Sequence, residues 1–539
     1  MNEFESRLDR ASETYTRQRA DMLALAAQVR AVQDKVRTRS ERERSRFEAR
    51  NQLLPHDRLE LLLDRGAPSI EITPLAGLGM HDDDGKHEAL GGGVIARIGF
   101  VRGVRCMVLA NNSAIKGGAT MPMGLKKYLR AQEIAMTNHL PVIMLVESAG
   151  ANLAYQSEMF VEGGARFYNI ARLSAAGIPQ IAVVHGSSTA GGAYIPGMSD
   201  YVIMVRGRAK VFLAGPPLLK AATGEIADDE SLGGAEMHAS VSGTAEFLVE
   251  NDAEAVAKAR ETVGGLRWNR DLPPPAAATW AEPALDIDDL AGIVPTDYKR
   301  SYDSREVIAR LVDGSQFSDF KPGFGPQIVA AFGDVEGMAC GFLGNNGPIV
   351  PDAAAKATQF IQLCSQARKP IIYLQNTTGY MVGVESERAG MVKHGAKMIQ
   401  AVSNAPVPSI TFLIGGAFGA GYFGMCGRGY QPRFLFAWPN ARISVMGAEQ
   451  AATVMEIVAQ DKAARQGKEP DVARLAVARQ AITAQIEAQS TALFATARVW
   501  DDGIIDPRDT RRVLAFCLRT CLEAAGKHLQ PTTFGVARI

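Results

Sequence analysis

Four short glycine-rich turns are the residues of this sequence best suited to chemistry: Lys116-Gly117-Gly118, Thr189-Ala190-Gly191-Gly192, Asn346-Gly347 and Phe418-Gly419-Ala420-Gly421. A turn with few side chains leaves its backbone N–H groups open. Where it joins a strand to a helix, those amides point at whatever occupies the turn. Such a turn can bind an oxyanion, and two amides meeting on a thioester oxygen would stabilise an enolate by about 3 kcal/mol per donor. For one turn alone, tight helix–sheet packing is the better explanation of the glycines; four turns placed equivalently in a duplicated unit point to function.

The side chains offer less. His81-Asp82-Asp83-Asp84 with His87 matches no ligand spacing known for a metal, so a solvated acidic loop is the simpler reading and no metal is assigned. Glu147 suits general acid or base work, but capping the turn after it is the simpler role. Cys517 and Cys521, at i and i+4 in an apolar stretch, read as buried small hydrophobes. Arg428 suits either a phosphate or adenine contact or a structural ion pair. No Ser-His-Asp, His-Glu or paired-carboxylate constellation stands out.

The elements that position the turns are repeated. His139-Leu-Pro141-Val-Ile-Met-Leu-Val-Glu147-Ser-Ala-Gly150 reads as a helix end, a buried strand and a turn, and Arg368-Lys-Pro370-Ile-Ile-Tyr-Leu-Gln-Asn376-Thr-Thr-Gly379 reads likewise. The two prolines and the two final glycines are each 229 residues apart. Gly186 in Ile181-Ala-Val-Val-His-Gly186 and Gly415 in Ile410-Thr-Phe-Leu-Ile-Gly415 keep that offset. Asn111-Asn112 pairs approximately with Asn345-Asn346, at a spacing that differs by a few residues. Strands alternate with helical stretches such as Met123 to Asn138 and Ala353 to Arg368, which predicts an α/β fold of crossover units in each half. The break Pro273-Pro274-Pro275-Ala-Ala-Ala-Thr-Trp280 separates an expected domain 1–280 from one of 281–539. Residues 3 to 50, polar and nearly free of Gly and Pro, predict one or two helices, with the Arg/Glu run Lys35 to Arg50 as a solvated face.

Composition narrows the class. The chain has 539 residues, 47% hydrophobic and 22% charged, the balance of a soluble folded protein with more than one core. With 58 Lys+Arg against 58 Asp+Glu it has no net attraction for nucleic acid or an anionic membrane. Six cysteines with no CxxC pair suit a reducing compartment, and the acidic N-terminus reads as neither a secretory signal nor a good transit peptide. No apolar run reaches the roughly 20 residues a bilayer needs.

Beyond the turns, the chain carries Ala114-Ile-Lys-Gly-Gly118, Glu147-Ser-Ala-Gly-Ala-Asn152, Ser188-Thr-Ala-Gly-Gly-Ala-Tyr194, Phe212-Leu-Ala-Gly-Pro-Pro-Leu-Leu-Lys-Ala-Ala-Thr-Gly-Glu225, Gly344-Asn-Asn-Gly347, Gln375-Asn-Thr-Thr-Gly-Tyr-Met-Val-Gly383, Phe418-Gly-Ala-Gly-Tyr-Phe-Gly-Met-Cys-Gly-Arg428 and Trp500-Asp-Asp-Gly-Ile-Ile-Asp-Pro507. Over nearly its whole length it resembles the carboxyltransferase β subunit of biotin-dependent acyl-CoA carboxylases. The Gly-Met-Cys-Gly-Arg428 segment and the Gly-Pro-Pro-Leu block resemble the 3-methylcrotonyl-CoA and geranyl-CoA branch; the propionyl-CoA branch has an acidic residue where Gly419 stands. The methylcrotonyl type usually has Asp and Gly where this chain has Glu147 and Ala149.

The resemblance implies tandem duplicated crotonase-like (ClpP/crotonase) domains with an N-terminal helical segment. It implies carboxyl transfer from carboxybiotin to the γ carbon of a 3-methyl-branched enoyl-CoA, with backbone amides of Gly117, Gly118, Gly191, Gly192, Gly347, Gly419 and Ala420 as oxyanion holes. Lys116, Ala149, Gly150, Ala190, Tyr194, Phe418 and Tyr422 would then line the substrate, with Phe418, Tyr422 and Phe423 as an aromatic wall limiting acyl length and Tyr155 and Met159 opposite. The first-half turns would hold the CoA thioester and the second-half turns the biotin ureido oxygen. Gly395-Ala-Lys-Met398 lacks the Met that precedes the lysine in a biotin attachment hairpin, and there is no ATP-binding glycine loop, so biotin would come on a biotin carboxylase/carrier α subunit. The resemblance further implies a cytoplasmic bacterial enzyme, a homohexamer with six α subunits, and no metal, nucleic-acid or membrane partner. Alternatives are a carboxyltransferase for another acyl-CoA such as propionyl- or acetyl-CoA, a biotin-independent crotonase-like hydratase or isomerase, and a decarboxylase component of a sodium pump.

Overall fold

Alternation of apolar strands with helices produces a mixed sheet in each half of the computed structural model, which describes residues 2–83, 88–272, 279–467, 469–533 and 535–536. The proline-rich break at Pro273–Ala278, and Asp84 and His87 of the acidic loop, lie outside the described residues. The chain forms two units. The N-half unit is Ala31–Pro274 with Ala497–Val499 and Arg519–Ile539; the C-half unit is Met1–Arg30, Pro275–Thr496 and Trp500–Leu518.

Among the described residues each unit holds an eight-stranded sheet. In the N-half unit the order is Ile70–Glu71, Val94–Val101, Val104–Asn111, Val142–Ser148, Gln180–Thr189, Tyr201–Val205 and Phe247–Val249, with Lys210–Phe212 paired to the far end of Gln180–Thr189. The first two pairings are antiparallel and the rest parallel. In the C-half unit the order is Asn2–Glu3, Gln316–Asp319, Ile328–Val335, Met338–Asn345, Ile371–Thr377, Ser409–Phe418 and Phe434–Ala437, with Arg442–Ser444 paired to Ser409–Phe418. The parallel strands are buried on both faces and so lose the apolar/polar alternation; Val142–Val146 is buried at every position.

The repeat survives in register. Ile143 pairs with Ile181 and Ile372 with Ile410, and the ladder is interrupted at equivalent places, between Val146 and Ser148 and between Gln375 and Thr377. The helices that follow the second long strand of each unit span Pro122–Thr137 and Pro351–Gln366. Each starts on a proline, one or two residues before the expected Met123 and Ala353, because the first position of a helix needs no N–H. The N-terminal stretch forms the helices Glu13–Glu41 and Arg44–Glu48. Its Arg/Glu run pairs with carboxylates at the surface: Arg44 meets Asp57 and Glu41, each at 2.7 Å, and Arg42 meets Glu88 at 2.7 Å. Exposed pairs of this kind contribute at most about 1 kcal/mol each.

All six cysteines are buried, Cys517 and Cys521 among them, and burial pushes the Cys364 and Cys426 thiols up to about 12. No helix among the described residues is long and apolar enough to cross a membrane.

The Trp500-Asp-Asp-Gly503 motif buries two carboxyl groups in the C-half unit. Asp502 accepts the Leu435 amide at 2.8 Å and lies 3.5 Å from the Arg428 guanidinium, which puts Arg428 in an ion pair. Asp501 accepts the Gly503 amide at 2.9 Å. Burial, with the Asp502 charge beside it, pushes Asp501 up to about 7. The unfolded chain ionises an aspartate near 3.9, so Asp501 weakens the fold progressively as pH rises from about 4 to about 7, and no further above that. Asp501→Asn keeps the acceptor for Gly503. Urea unfolding should show the variant more stable by about 1–3 kcal/mol at pH 8 and equal to the parent at pH 4; equal stability at both would refute the buried-acid assignment.

Candidate functional site

In the N-half unit the three segments carrying the expected site residues converge at the carboxyl ends of adjacent strands, Val104–Asn111, Val142–Ser148 and Gln180–Thr189, where open α/β sheets place their ligands. Lys116, Gly117 and Gly118 all have positive φ, 48°, 62° and 73°, and form one left-handed turn. Gly118 N–H donates to Ile115 O at 2.9 Å and Ala119 N–H to Lys116 O at 3.2 Å. The Lys116 and Gly117 amides open the turn, as the first amides of any helical turn do. Ala149 N–H donates to Gly117 O at 3.0 Å and Thr120 N–H to Gly150 O at 2.8 Å, tying this turn to the next strand end. A Cβ on Gly150 would sit 3.7 Å from Thr189 O, so the third segment runs alongside. There Ala190 takes φ +52°, a conformation costly to a residue with a Cβ. Lys116, Gly117, Ala149 and Ala190 are exposed while Gly118, Gly150 and Gly192 are buried beneath them. Tyr194, one helical turn on, is exposed with its ring 5.6 Å from Phe167.

The C-half unit repeats this framework. Ile349 N–H donates to Gly379 O at 2.9 Å as Thr120 does to Gly150. Thr377 Oγ1 donates to Gly347 O at 3.4 Å as Ser148 Oγ does to Gly118 O at 2.9 Å. Gly419 takes φ +53° in the slot of Ala190, and a Cβ on Gly421 would meet Gly379 Cα at 2.7 Å. Gly347, Gly379, Gly419 and Ala420 thus share one strand-end cluster. The halves differ in one loop: Asn111 and Gly118 are seven residues apart, Asn345 and Gly347 only two, so the C-half has no counterpart of the Lys116 turn. Tyr422 accepts the Arg428 amide at 2.8 Å through its hydroxyl, and Phe418 is 3% exposed with its ring 4.8 Å from Tyr298, under the turn rather than at its surface; Phe423 is the exposed aromatic.

A buried ionic network lies under the N-half turns, and sequence reasoning missed most of it. Glu147 does not cap the turn. Its Oε2 accepts from Arg58 Nη1 and from Ser113 Oγ, both at 2.7 Å, and its side chain lies where a Cβ on Gly186 would be, 2.7 Å away. Arg58 also reaches Asp252 at 3.2 Å, and His185 Nδ1 lies 2.9 Å from the other Asp252 oxygen. Burial opposes the Asp252 charge, but the His185 hydrogen bond, the Arg58 charge and the Leu53 amide hold its carboxyl well below the usual range. Burial, helped by Arg58, pushes His185 down, so the imidazole is neutral and donates from Nδ1 to Asp252. The slot of Glu147 in the C-half holds Asn376, whose Oδ1 accepts the Gly416 amide at 2.6 Å. That charged-for-neutral exchange at offset 229 was the available signal for the network.

The acidic loop finds organic partners. His81 Nε2 lies 3.0 Å from Glu158 with its ring edge-on to Tyr155, and Asp82 takes Tyr155 Oη at 2.6 Å as well as the ammonium of Lys116. Met159 is buried.

Residues 47–534 match the carboxyl transferase domain family. The chain belongs to this family. A solved carboxyl transferase of similar structure is the β subunit of geranyl-CoA carboxylase from P. aeruginosa, at 54% identity and TM-score 0.93 over 100% of both chains. A probable biotin-dependent acyl-coenzyme A carboxylase beta2 subunit of Mycobacterium tuberculosis is 50% identical over 92% of each chain. The mitochondrial methylcrotonoyl-CoA carboxylase beta chain of Dictyostelium discoideum is 47% identical over 91% of this chain and 83% of its own.

Two substitutions separate the turn from its support. Gly118→Ala would place a Cβ 2.2 Å from Glu147 O, whereas Gly117→Ala would meet nothing nearer than 3.7 Å. Gly118→Ala should lower Tm, and Gly117→Ala should lower it by much less. Equal effects would show that the close approach does not hold the turn. Glu147→Gln leaves Arg58 with Asp252 as its remaining charged partner and should cost about 1–3 kcal/mol in urea unfolding; no measurable cost would show that the ion pair does not support the fold.

Proposed function

We propose that this chain is the carboxyltransferase β subunit of a biotin-dependent acyl-CoA carboxylase and moves a carboxyl group from carboxybiotin to the γ carbon of 3-methylcrotonyl-CoA or geranyl-CoA. The observation that carries this reading is the pair of equivalent strand-end clusters, each with a left-handed residue in the same slot, Ala190 and Gly419, 229 residues apart. One reaction with two oxygens to stabilise needs two such clusters.

Removing the γ proton of a 3-methylenoyl thioester leaves a dienolate whose charge rests on the thioester oxygen. The N-half amides of Lys116 and Gly117 and those around Ala190–Gly192 hold that oxygen and lower the barrier as preorganised donors do; the Gly118 amide, expected among them, is committed to Ile115 O instead. The C-half amides around Gly347, Gly419 and Ala420 would hold the ureido oxygen of biotin. A Cβ on Gly347 would meet nothing within 4 Å, a bare backbone cradle that fits a flat, neutral ring. Biotin, brought carboxylated by an α subunit, supplies both the CO2 and the base. The chain itself needs no basic side chain, and Glu147, committed to Arg58 and Ser113, is no free base for a hydratase. We assign the N-half unit to the acyl-CoA side and the C-half unit to the biotin side, so that the expected division 1–280 and 281–539 shifts at both chain ends, in a homohexameric core with six α subunits in the bacterial cytoplasm.

With carboxybiotin on the α subunit, labelled carboxyl should pass to a 3-methylenoyl-CoA; biotin-independent hydration of the enoyl-CoA by the isolated chain would overturn the reading. Activity should disappear on dilution to a monomer, and a monomer active at nanomolar concentration would refute the assembly. Phe418→Gly tests the aromatic wall. Its burial against Tyr298 leads us to expect a stability loss of about 3–5 kcal/mol, with the kcat/KM ratio of geranyl-CoA to methylcrotonyl-CoA unchanged. A ratio that rises would instead make Phe418 the wall.

A further inference from the structure

The N-half unit has a cavity apart from the glycine turns. Its volume is about 170 Å³, and Arg267, Trp268, Arg270, Asp271, Lys527 and His528 are among its lining residues. Lys527 is the buried member, 8% exposed, and its Nζ has no hydrogen-bond partner among the described residues. Burying an ammonium without hydrogen bonds is unfavourable, so such a group either loses its proton or awaits a partner. Its nearest compensation is the face of Trp268, 5.7 Å from Nζ to the ring centroid, an attraction of about 0.5–2 kcal/mol that supplies no acceptor.

The acids nearby do not neutralise it. Glu523 is held by Arg105 in a two-bond fork, at 2.8 and 2.7 Å, and Asp271 lies 3.7 Å from Arg270. That leaves Lys527 and the exposed Arg267 in surplus, with His528 beside them. The walls are preformed. Trp268 Nε1 donates to His139 O at 3.3 Å, and Arg267 is held at φ +48°. The C-terminal segment closes the other side: Gly177 lies against Gln530, where a Cβ would come within 2.6 Å of the Gln530 carbonyl oxygen, and Thr532 N–H donates to Ala175 O at 2.7 Å. Burial lowers the Lys527 ammonium against the raising pull of Glu523.

We propose that this cavity binds a small free oxyanion of the phosphate class, with Lys527 at its floor and Arg267, Arg270 and His528 at its rim. A cavity of this size has room for one such ion. The site is independent of the oxyanion turns, and its test does not depend on carboxyl transfer.

Scanning calorimetry of the 539-residue chain in inorganic phosphate, against chloride at matched ionic strength, reads the site directly. Phosphate should raise Tm saturably. Lys527→Met should weaken the response about tenfold or more, the loss expected of a charged hydrogen bond, and should raise Tm in phosphate-free buffer because an unpaired buried charge is gone. Lys527→Arg should retain a response. Equal Tm in phosphate and chloride overturns the site. So does a Lys527→Met protein with lower Tm and an undiminished response, which would make the lysine a cap on the carbonyls of the preceding helix, Thr510–Gly526. Should Lys527→Met fail to fold, tryptophan fluorescence decides: a phosphate-dependent change lost in Trp268→Phe supports the site, and one that survives there, or no change in the parent, refutes it.

Discussion

A backbone that leaves a parallel strand at positive φ turns its next amides out of the sheet, and nearly everything at the candidate site depends on keeping it there. The conformation is cheap for glycine and unfavourable for other residues, by about 1–2 kcal/mol each. Lys116 and Ala190 bear that strain in the N-half, while Gly419 avoids it in the C-half. Close packing holds the geometry: the Gly118 turn is pressed against the Glu147 carbonyl, and Gly421 against Gly379. Neither contact leaves room for a methyl group, so the turns are fixed by sterics before any ligand arrives.

The two halves solve the same support problem with different electrostatics. Beneath the N-half turns, a carboxylate at Glu147 is neutralised by Arg58, which is shared with Asp252 and through it with His185. Beneath the C-half turns, Asn376 does the equivalent work with a neutral amide bonded to Gly416. A buried ion pair rigidifies its surroundings only while all its members are present, since an orphaned charge is strongly unfavourable. The N-half cluster is therefore the more brittle of the two, and a developing negative charge above it meets a field shaped by Glu147 and Arg58 together.

Much of this was legible in the sequence, because glycine has few reasons to recur at a fixed offset and 229 held across strand, bulge and turn. The resemblance of the motifs to biotin-dependent carboxyltransferases agreed with the family match. What stayed hidden was long-range. Arg58 and Asp252 are 194 residues apart, His185 and Asp252 67, and neither spacing carries a periodic signal. Nor does a two-residue strand such as Asn2–Glu3, which pairs with Gln316–Asp319 and draws the first residues into the C-half unit. The acidic loop at His81 could not be placed from its own composition, since its partners, Lys116, Tyr155 and Glu158, come from other segments.

The burial of all six cysteines has a practical side. A thiol pushed up to about 12, as at Cys364 and Cys426, carries almost no thiolate at neutral pH, and the thiolate is the species that reacts. A cysteine introduced at an exposed position such as Val382 or Val477 would face little competition from these two native sulfurs for a maleimide. Spectroscopic probes could then be attached site by site without first stripping the core of its own thiols.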